Sequence, residues 1–344
     1  MSDSPTSSRA AATLHDVARE SGVSLATASR VLNGSQRVVA ESYRERVHAA
    51  AEKLGYTANL SAQATARGTA AIVALLVADI ADPYFGQIAA GVARGADEAG
   101  LVVTIAITER DPQREVRLIR ALRGQRPRGL ILAASRTETN EAAGLHSELE
   151  SFAAGGARVV TLGSASGDHR AVLFDNRAGA RELGSALAAR GYRDAIVIGA
   201  AQGIRTSDDR ISGFNEGFVD DGGGNIHQVI RGEFTRESGY DSVSQLLLGD
   251  LPAGTLIFAI SDVVAIGIMS ALRDAGRGVG EDIAVAGFDD IATGRDVRPG
   301  LTTVRVPLDE LGYRLLCAVI DDEWDAAAEP KPLEVIIRGS TPER

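Results

Sequence analysis

The side chains best placed for chemistry lie near the N-terminus, in the segment Leu14–Asn33 (LHDVARESGVSLATASRVLN). Ser24, Thr27 and Ser29 carry hydroxyls suited to phosphate oxygens, contacts that position a protein on a duplex without reading its sequence. Arg30 has the fork geometry for a paired hydrogen bond with guanine. Ala26, Arg30 and Asn33 share one helical face at i, i+4, i+7 spacing, and Leu25 at the start of the segment can also point outward. Leu25 and Ala26 offer apolar contact only, for instance with a thymine methyl. This is groove-reading chemistry, although the same pattern also suits a helical hairpin used for protein contact.

Catalytic chemistry has no comparable constellation. The five histidines (15, 48, 146, 169 and 227) are scattered and show no metal-ligand spacing. There is no Gly-x-Ser-x-Gly elbow, no P-loop and no Gly-x-Gly-x-x-Gly following a strand, and Gly222-Gly223-Gly224 reads as a loop. Cys317, the only cysteine, excludes an intramolecular disulfide and any multi-cysteine zinc site. No enzyme activity, metal or cofactor is expected.

The elements that must hold the Arg30 face follow from local signals. Thr13 is a good N-cap, and Leu14, Val17, Ala18 and Ser21 share one face of a first helix ended by Gly22. Ser24 can cap a second helix to about Leu32, with Ala28, Val31 and Leu32 inward. Asn33-Gly34-Ser35 is a turn. A third helix carries Tyr43, Val47, Ala50, Ala51 and Leu54 on its inner face and stops at Gly55. From Ala71 the texture changes to apolar runs alternating with amphipathic stretches. Strands are expected at Ala71–Ala78, Leu101–Ile107, Gly129–Ala133 and Arg158–Leu162, then in a second series from Val172–Phe174 through 194–198, 226–230, 255–260 and 282–286. A last helix (308–320) and strand (333–337) follow Leu301–Val304. The fold class is therefore an all-α helix-turn-helix head plus an α/β body of two doubly wound parallel-sheet subdomains. A cleft between them, beyond the strand C-termini, is the expected small-molecule site.

With 344 residues, the chain exceeds roughly 150 residues per domain. Its net charge of −10 argues, taken whole, against a nucleic-acid partner. The total conceals an asymmetry: residues 1–70 hold 8 Arg/Lys against 6 Asp/Glu, the other 274 hold 28 against 40. A mildly basic head precedes a strongly acidic body. No apolar run reaches the roughly 18 residues of a membrane span, and no signal peptide opens the chain, so a cytoplasmic protein with no membrane contact is expected.

Residues 13–69 resemble the DNA-binding head of the lac/gal repressor (LacI/GalR) family of bacterial transcriptional regulators. The matching positions are Thr13, Asp16-Val17-Ala18, Gly22-Val23-Ser24, Thr27, Ser29-Arg30-Val31-Leu32-Asn33 and Leu54-Gly55-Tyr56. The body resembles the same family, of periplasmic-binding-protein type, at Asp82-Pro83-Tyr84-Phe85, Asp175-Asn176, Arg210 with Gly213-Phe214, Asp262 with Ala265-Ile266-Gly267, Glu281 to Asp290, and Leu301-Thr302-Thr303-Val304. The resemblance implies a homodimer on a pseudo-palindromic double-stranded DNA operator, controlled by a small sugar-like effector. The alternative is a regulator of the same fold governed by a protein partner, with a vestigial pocket. It adds Thr13 to the DNA-contacting set and implies a hinge helix in the minor groove carrying Asn59, Ala62, Gln63 and Thr65. Thr65 stands where the family has a leucine wedge, Ala58 where it has proline, and Ala40 where it has a serine cap.

The effector positions implied are Asp82, Tyr84, Phe85, Arg210, Ser261, Asp262 and Asp289. Asp82 replaces the usual Asn, Ser261 an Asn, Gly163-Ser164 an Asp-Arg pair and Val306 a Gln. The implied division is a tail (1–12), a head (13–58), a hinge or linker (59–70) and an effector-binding and dimerisation body (71–344). The body's N-subdomain takes about 71–170 and 302–330, and its C-subdomain about 171–300 and 331–340.

Overall fold

The computed structural model describes residues 12–32, 39–56, 70–133, 144–163, 169–249, 251–324 and 332–344. The chain divides into two compact units, Met1–Ala70 and Ala71–Arg344. Asn33, Asn59, Ala62, Gln63 and Thr65 lie outside the described residues.

Among the described residues the first unit holds three helices around one small core. Helix α1 (Leu14–Ser21) opens with a reciprocal cap: the Thr13 hydroxyl accepts from the Asp16 amide, and the Asp16 carboxylate accepts from the Thr13 amide at 3.0 Å. It ends at Gly22, whose φ of +62° is left-handed. Helix α2 (Leu25–Leu32) follows after a tight turn, with the Ser24 hydroxyl accepting from the Thr27 amide at 3.1 Å. Helix α3 (Glu41–Leu54) starts at Ala40 with no side-chain cap and closes on Gly55 at φ +61°. Val17, Ala18, Ala28, Val47, Ala50 and Ala51 form the core, flanked by Leu14, Val31, Leu32 and Leu54. Tyr43 departs from the expected inner face. It is 44% exposed and lies under the Arg46 guanidinium, whose position is set by the Ser21 and Gly22 carbonyls.

The second unit holds two parallel sheets. One runs in the order β2-β1-β3-β4-β5, with β1 Ile72–Val77, β2 Val102–Ile107, β3 Gly129–Leu132, β4 Arg158–Leu162 and β5 Arg170–Val172. The other runs β7-β6-β8-β9, with β6 Asp194–Ala200, β7 Asn225–Gly232, β8 Leu256–Ala259 and β9 Ala284–Ala286. The strand expected to open the second series at 172–174 instead closes the first sheet, Val160 pairing with Arg170 and Leu162 with Val172. Helices α4 (Pro83–Glu98), α5 (Pro112–Arg123) and α6 (Leu145–Ala154) accompany the first sheet. Helices α7 (Asn176–Ala189), α8 (Arg205–Asn215), α9 (Arg236–Leu246) and α10 (Asp262–Asp274) accompany the second. After a short turn of helix α11 (Thr293–Asp296), strand β10 (Thr303–Arg305) leads into α12 (Leu308–Ile320), which returns to pack on α4 and on β3, β4 and β5. Strand β11 (Glu334–Ile336) pairs antiparallel with β10, and the C-terminal segment rejoins the second sheet through the Val285 amide to the Ser340 carbonyl, 3.1 Å. The chain thus passes between the lobes three times.

Close helix contacts make each lobe stiff. A Cβ at Gly91 of α4 would lie 1.9 Å from the Asp309 carbonyl, and one at Gly312 of α12 would lie 2.1 Å from the Ile88 carbonyl. In the other lobe Gly217 and Gly267 stand 1.9 Å by the same measure from the Arg181 and Arg236 carbonyls. Such distances are below any real Cβ contact, so only hydrogen fits. Gly312→Ala is expected to lower the unfolding free energy of this unit by about 3 kcal/mol, the upper part of the overpacking range. A urea titration checks this; an unchanged midpoint would count against the contact.

Candidate nucleic-acid interface and ligand cleft

Helix α2 is split sharply by burial. Ala28 is sealed in the core, whereas Ser24, Leu25, Ala26 and Arg30 are exposed and Thr27 and Ser29 half-buried. Leu25 at 39% is one of the few large apolar residues left to solvent. The Ser24 and Thr27 hydroxyls lie 2.8 Å apart, so the first turn presents a linked pair of polar oxygens beside the apolar Leu25 and Ala26. Thr13, exposed at the start of α1, has its hydroxyl engaged to Asp16 at 2.7 Å. Burial of one face fixes the roll of α2, and its other face carries the side chains able to read base edges.

In the second unit the expected effector residues gather beyond the C-terminal ends of the strands. Asp82, after β1, caps α4: its carboxylate accepts from the Tyr84 amide at 2.9 Å. Tyr84 is half-buried and packs edge-on against Phe85, ring centroids 5.0 Å apart. Phe85 itself is 5% exposed within the main core and backs Tyr84, the more exposed of the two rings. From the other lobe, Arg210 on α8 is 1% exposed and has three polar partners. Its Nε donates to Asn176 Oδ1 at 2.8 Å, Nη1 to the Ile260 carbonyl at 2.7 Å, and Nη2 lies 2.8 Å from Asp289 Oδ1. The guanidinium also sits 3.9 Å above the Phe288 ring.

The electrostatics tie these groups into one site. Burial pushes the Asp289 carboxyl up to about 7 against the pull of Arg210, and the Asp82 charge adds to the rise. Burial also raises Asp82 and the Tyr84 phenol; Tyr84 feels the charges of Asp289, Arg210 and Asp82 together. The groups of the two lobes therefore face one another. Arg110, after β2, reaches over the Phe234 ring beyond β7, 5.7 Å to its centroid, and its charge acts on Asp82.

An acid with a raised native pKa binds its proton more tightly folded than unfolded between about 4 and 7. Asp289 therefore adds stability as pH falls through 7, and its penalty is fully present above 7. Relative to Asp289→Asn, the parent is expected to gain about 1 kcal/mol from pH 8 to pH 6. Parallel thermal scans of the two proteins read this directly; a pH-independent difference would refute it.

Asp262 needs a correction. Its side chain is sealed from solvent, and both oxygens are used inside the lobe. Oδ2 accepts from the Ile291 amide at 2.9 Å and Oδ1 from the Thr303 hydroxyl at 2.6 Å. Burial and the neighbouring Asp289 raise it well above the usual carboxylate range. It braces the 287–291 corner with both oxygens already engaged. Ser261 caps α10 and is likewise buried, its hydroxyl 3.5 Å from the Val264 amide. Asn176, Phe288 and Asp290 lie within the matching motifs but outside the expected effector set, and Arg110 and Phe234 lie outside both.

Among the described residues no group of His, Cys, Asp or Glu is arranged to hold a metal ion. In the same residues no helix is long and apolar enough to cross a membrane. A helix-turn-helix unit joined to a two-lobed body of parallel sheets defines a DNA-binding transcriptional regulator. Residues 13–59 match the family of bacterial regulatory proteins of lacI type, and residues 185–341 match the periplasmic binding protein-like domain. The chain is 31% identical to the HTH-type transcriptional regulator DegA of Bacillus subtilis over 342 residues, covering 96% of this chain and 98% of that protein. It is 33% identical to the HTH-type transcriptional regulator GalR of Escherichia coli over 298 residues, 86% of this chain and 85% of that one. The chain belongs to the lacI family of bacterial regulatory proteins. Its fold superimposes on a lac repressor dimer bound to operator and the anti-inducer ONPF with a TM-score of 0.81, at 24% identity over 96% of this chain and 99% of that one. A CelR–cellobiose complex gives 0.67 at 28% identity, over 96% and 99%.

Proposed function

We propose that this protein is a cytoplasmic repressor whose homodimer reads a pseudo-palindromic operator through the exposed face of α2. A small, hydroxyl-bearing effector of carbohydrate type, held in the cleft, releases or strengthens that binding. The carrying observation is the division of α2: Ala28 is locked in the core while Leu25, Ala26 and Arg30 project from the same two turns. Arg30 supplies the guanine-reading fork, Leu25 and Ala26 the apolar contacts, and Ser24, Thr27, Ser29 and Thr13 the backbone contacts. Asn33 and the hinge residues Asn59, Ala62, Gln63 and Thr65 complete the set proposed for DNA. The dimer and operator of the lac repressor structure, and the sugar of the CelR complex, support the reading.

In the cleft, Asp82 and Tyr84 of one lobe and Arg210 and Asp289 of the other would grip ligand hydroxyls. Charge-assisted bonds of this kind are the strong ones. Effector binding works by population shift: a ligand preferring one lobe angle moves the equilibrium by its differential affinity for the two states, and DNA affinity follows by linkage. The test is a gel-shift titration on a duplex selected from a random pool by this protein, joined to calorimetry with a panel of mono- and disaccharides. Selection of a symmetric site and release or tightening by one sugar is the expected result; failure to select any site would overturn the DNA reading. Thr65→Leu is expected to raise affinity for the selected duplex, since a leucine unstacks a base step better than a part-polar threonine. Equal titration midpoints would remove the wedge role from this position.

A further inference from the structure

The corner that follows β9 holds two consecutive acidic residues with left-handed backbone, Asp289 at φ +115° and Asp290 at φ +54°. Non-glycine residues in this region are strained and persist only where surrounding contacts hold them. Asp289 turns toward Arg210 and the cleft. Asp290 turns the other way, 1% exposed, into three guanidiniums. Its Oδ2 accepts from Arg305 Nε at 2.8 Å and Arg295 Nη2 at 3.0 Å, and its Oδ1 from Arg338 Nη2 at 2.5 Å. Arg295 lies on α11, Arg305 on β10 and Arg338 just beyond β11, so one carboxylate gathers three segments. The backbone reinforces this. The Gly287 amide donates to the Thr302 carbonyl and the Asp289 amide to the Val304 carbonyl, each at 2.8 Å. Thr303 adds its hydroxyl bond to Asp262, and Arg305 also reaches Glu334 at 2.7 Å.

We propose that Asp290 is a positioning residue that transmits displacement of Asp289 in the cleft to the crossover strand β10 and the helix α12 it leads into. This rests on the reading of the cleft as the effector site. The physical reason is stiffness. A corner hydrogen-bonded to β10 and clamped by three charge-assisted bonds cannot shift alone. When Asp289 moves toward a ligand, Asp290 and Arg305 move with it, and β10 carries the motion into α12. That helix is held against α4 by the glycine contact, and α4 is capped by Asp82 and carries Tyr84 in its first turn, the opposite wall of the proposed cleft. Corner, strand and two helices therefore form a closed mechanical circuit that begins and ends at the ligand. Asp290 needs no contact with the ligand to act in it.

The test is a cycle of four full-length proteins: parent, Asp289→Asn, Asp290→Asn and the double variant, followed by amide hydrogen exchange at residues 303–312. Asp289→Asn discharges the cleft residue without any effector. Exchange across 303–312 is expected to change at least threefold on Asp289→Asn in the parent and to be unaffected by it in the Asp290→Asn background. Amides of β1 and β8 report any general change of stability in each variant, and the change at 303–312 is read relative to them. An equal change in both backgrounds, or none in either, overturns the proposal. If Asp290→Asn fails to fold, Arg305→Gln takes its place in the same cycle. The cycle uses no sugar, so additive behaviour refutes the coupling alone, while a sugar panel without calorimetric binding refutes the effector reading alone.

Discussion

Arg210→Ala should leave selected-operator binding intact and abolish its response to any effector found for the cleft. The size of the effect follows from burial. The guanidinium is 1% exposed and serves Asn176, the Ile260 carbonyl and Asp289 at once. Removing it strands a carboxylate that burial already holds near neutrality and leaves two further acceptors without their donor. Breaking a buried pair from one side costs about 3–5 kcal/mol. For a unit of this size that is a fall in melting temperature of roughly 10 °C. Part of the loss should be recovered at pH 6, where the stranded Asp289 is protonated. Gel shifts at 20 °C, well below the transition, separate the two effects: retained binding with no effector response supports the assignment, and a normal response sinks it. Asp289→Ala should lose the response in the same way.

Arg30→Ala should remove discrimination between the selected operator and random DNA while the head stays folded. A bidentate arginine–guanine pair discriminates by about 1–3 kcal/mol, and a dimer places two such pairs on a palindrome. The combined loss of specificity is roughly 30-fold to 10⁴-fold. Affinity for random DNA should change far less, because the phosphate-directed hydroxyls remain. Arg30 is exposed and makes no part of the Val17–Ala28–Val47 core, so circular dichroism of the variant should match the parent. Retained discrimination would refute base reading by this residue.

Much of the scaffold was legible because its signals are local. Thr13, Gly22 and Gly55 mark helix ends by capping chemistry alone, and the apolar run before Ala78 and the period of 308–320 identify a buried strand and an amphipathic helix. The three-residue strand 170–172 carries too few positions for any period, and the adjoining apolar Leu173 and Phe174 drew the expected strand two residues late. The residues proposed for the effector came from motif resemblance, and their pairing was not legible. Asp208 and Asp209 stand beside Arg210 in sequence, yet helix geometry turns Asp208 to Arg231 at 2.5 Å and Asp209 toward Arg205, leaving Arg210 to distant Asp289. Asp262 carries the right residue type at the right motif, but its carboxylate is consumed by Ile291 and Thr303, contacts that no spacing reveals. Phe234 and Arg110 follow β7 and β2, the edge strands of two different sheets, and their meeting across the lobes leaves no mark in the sequence.

The return of α12 to the first lobe also sets a timetable for synthesis. The first sheet is complete at residue 172, but the helix that covers β3, β4 and β5 and meets α4 ends at residue 320. About 150 further residues must be polymerised before that face can be closed, which at ribosomal rates is roughly 10–30 s. Throughout that interval the apolar side of the nascent lobe stands open, with Ile88, Val92 and Val160 awaiting partners such as Leu311, Leu315 and Leu316. Yield in the cell should therefore depend on holdase chaperones and on translation speed across the second lobe more than on the equilibrium stability of the finished protein.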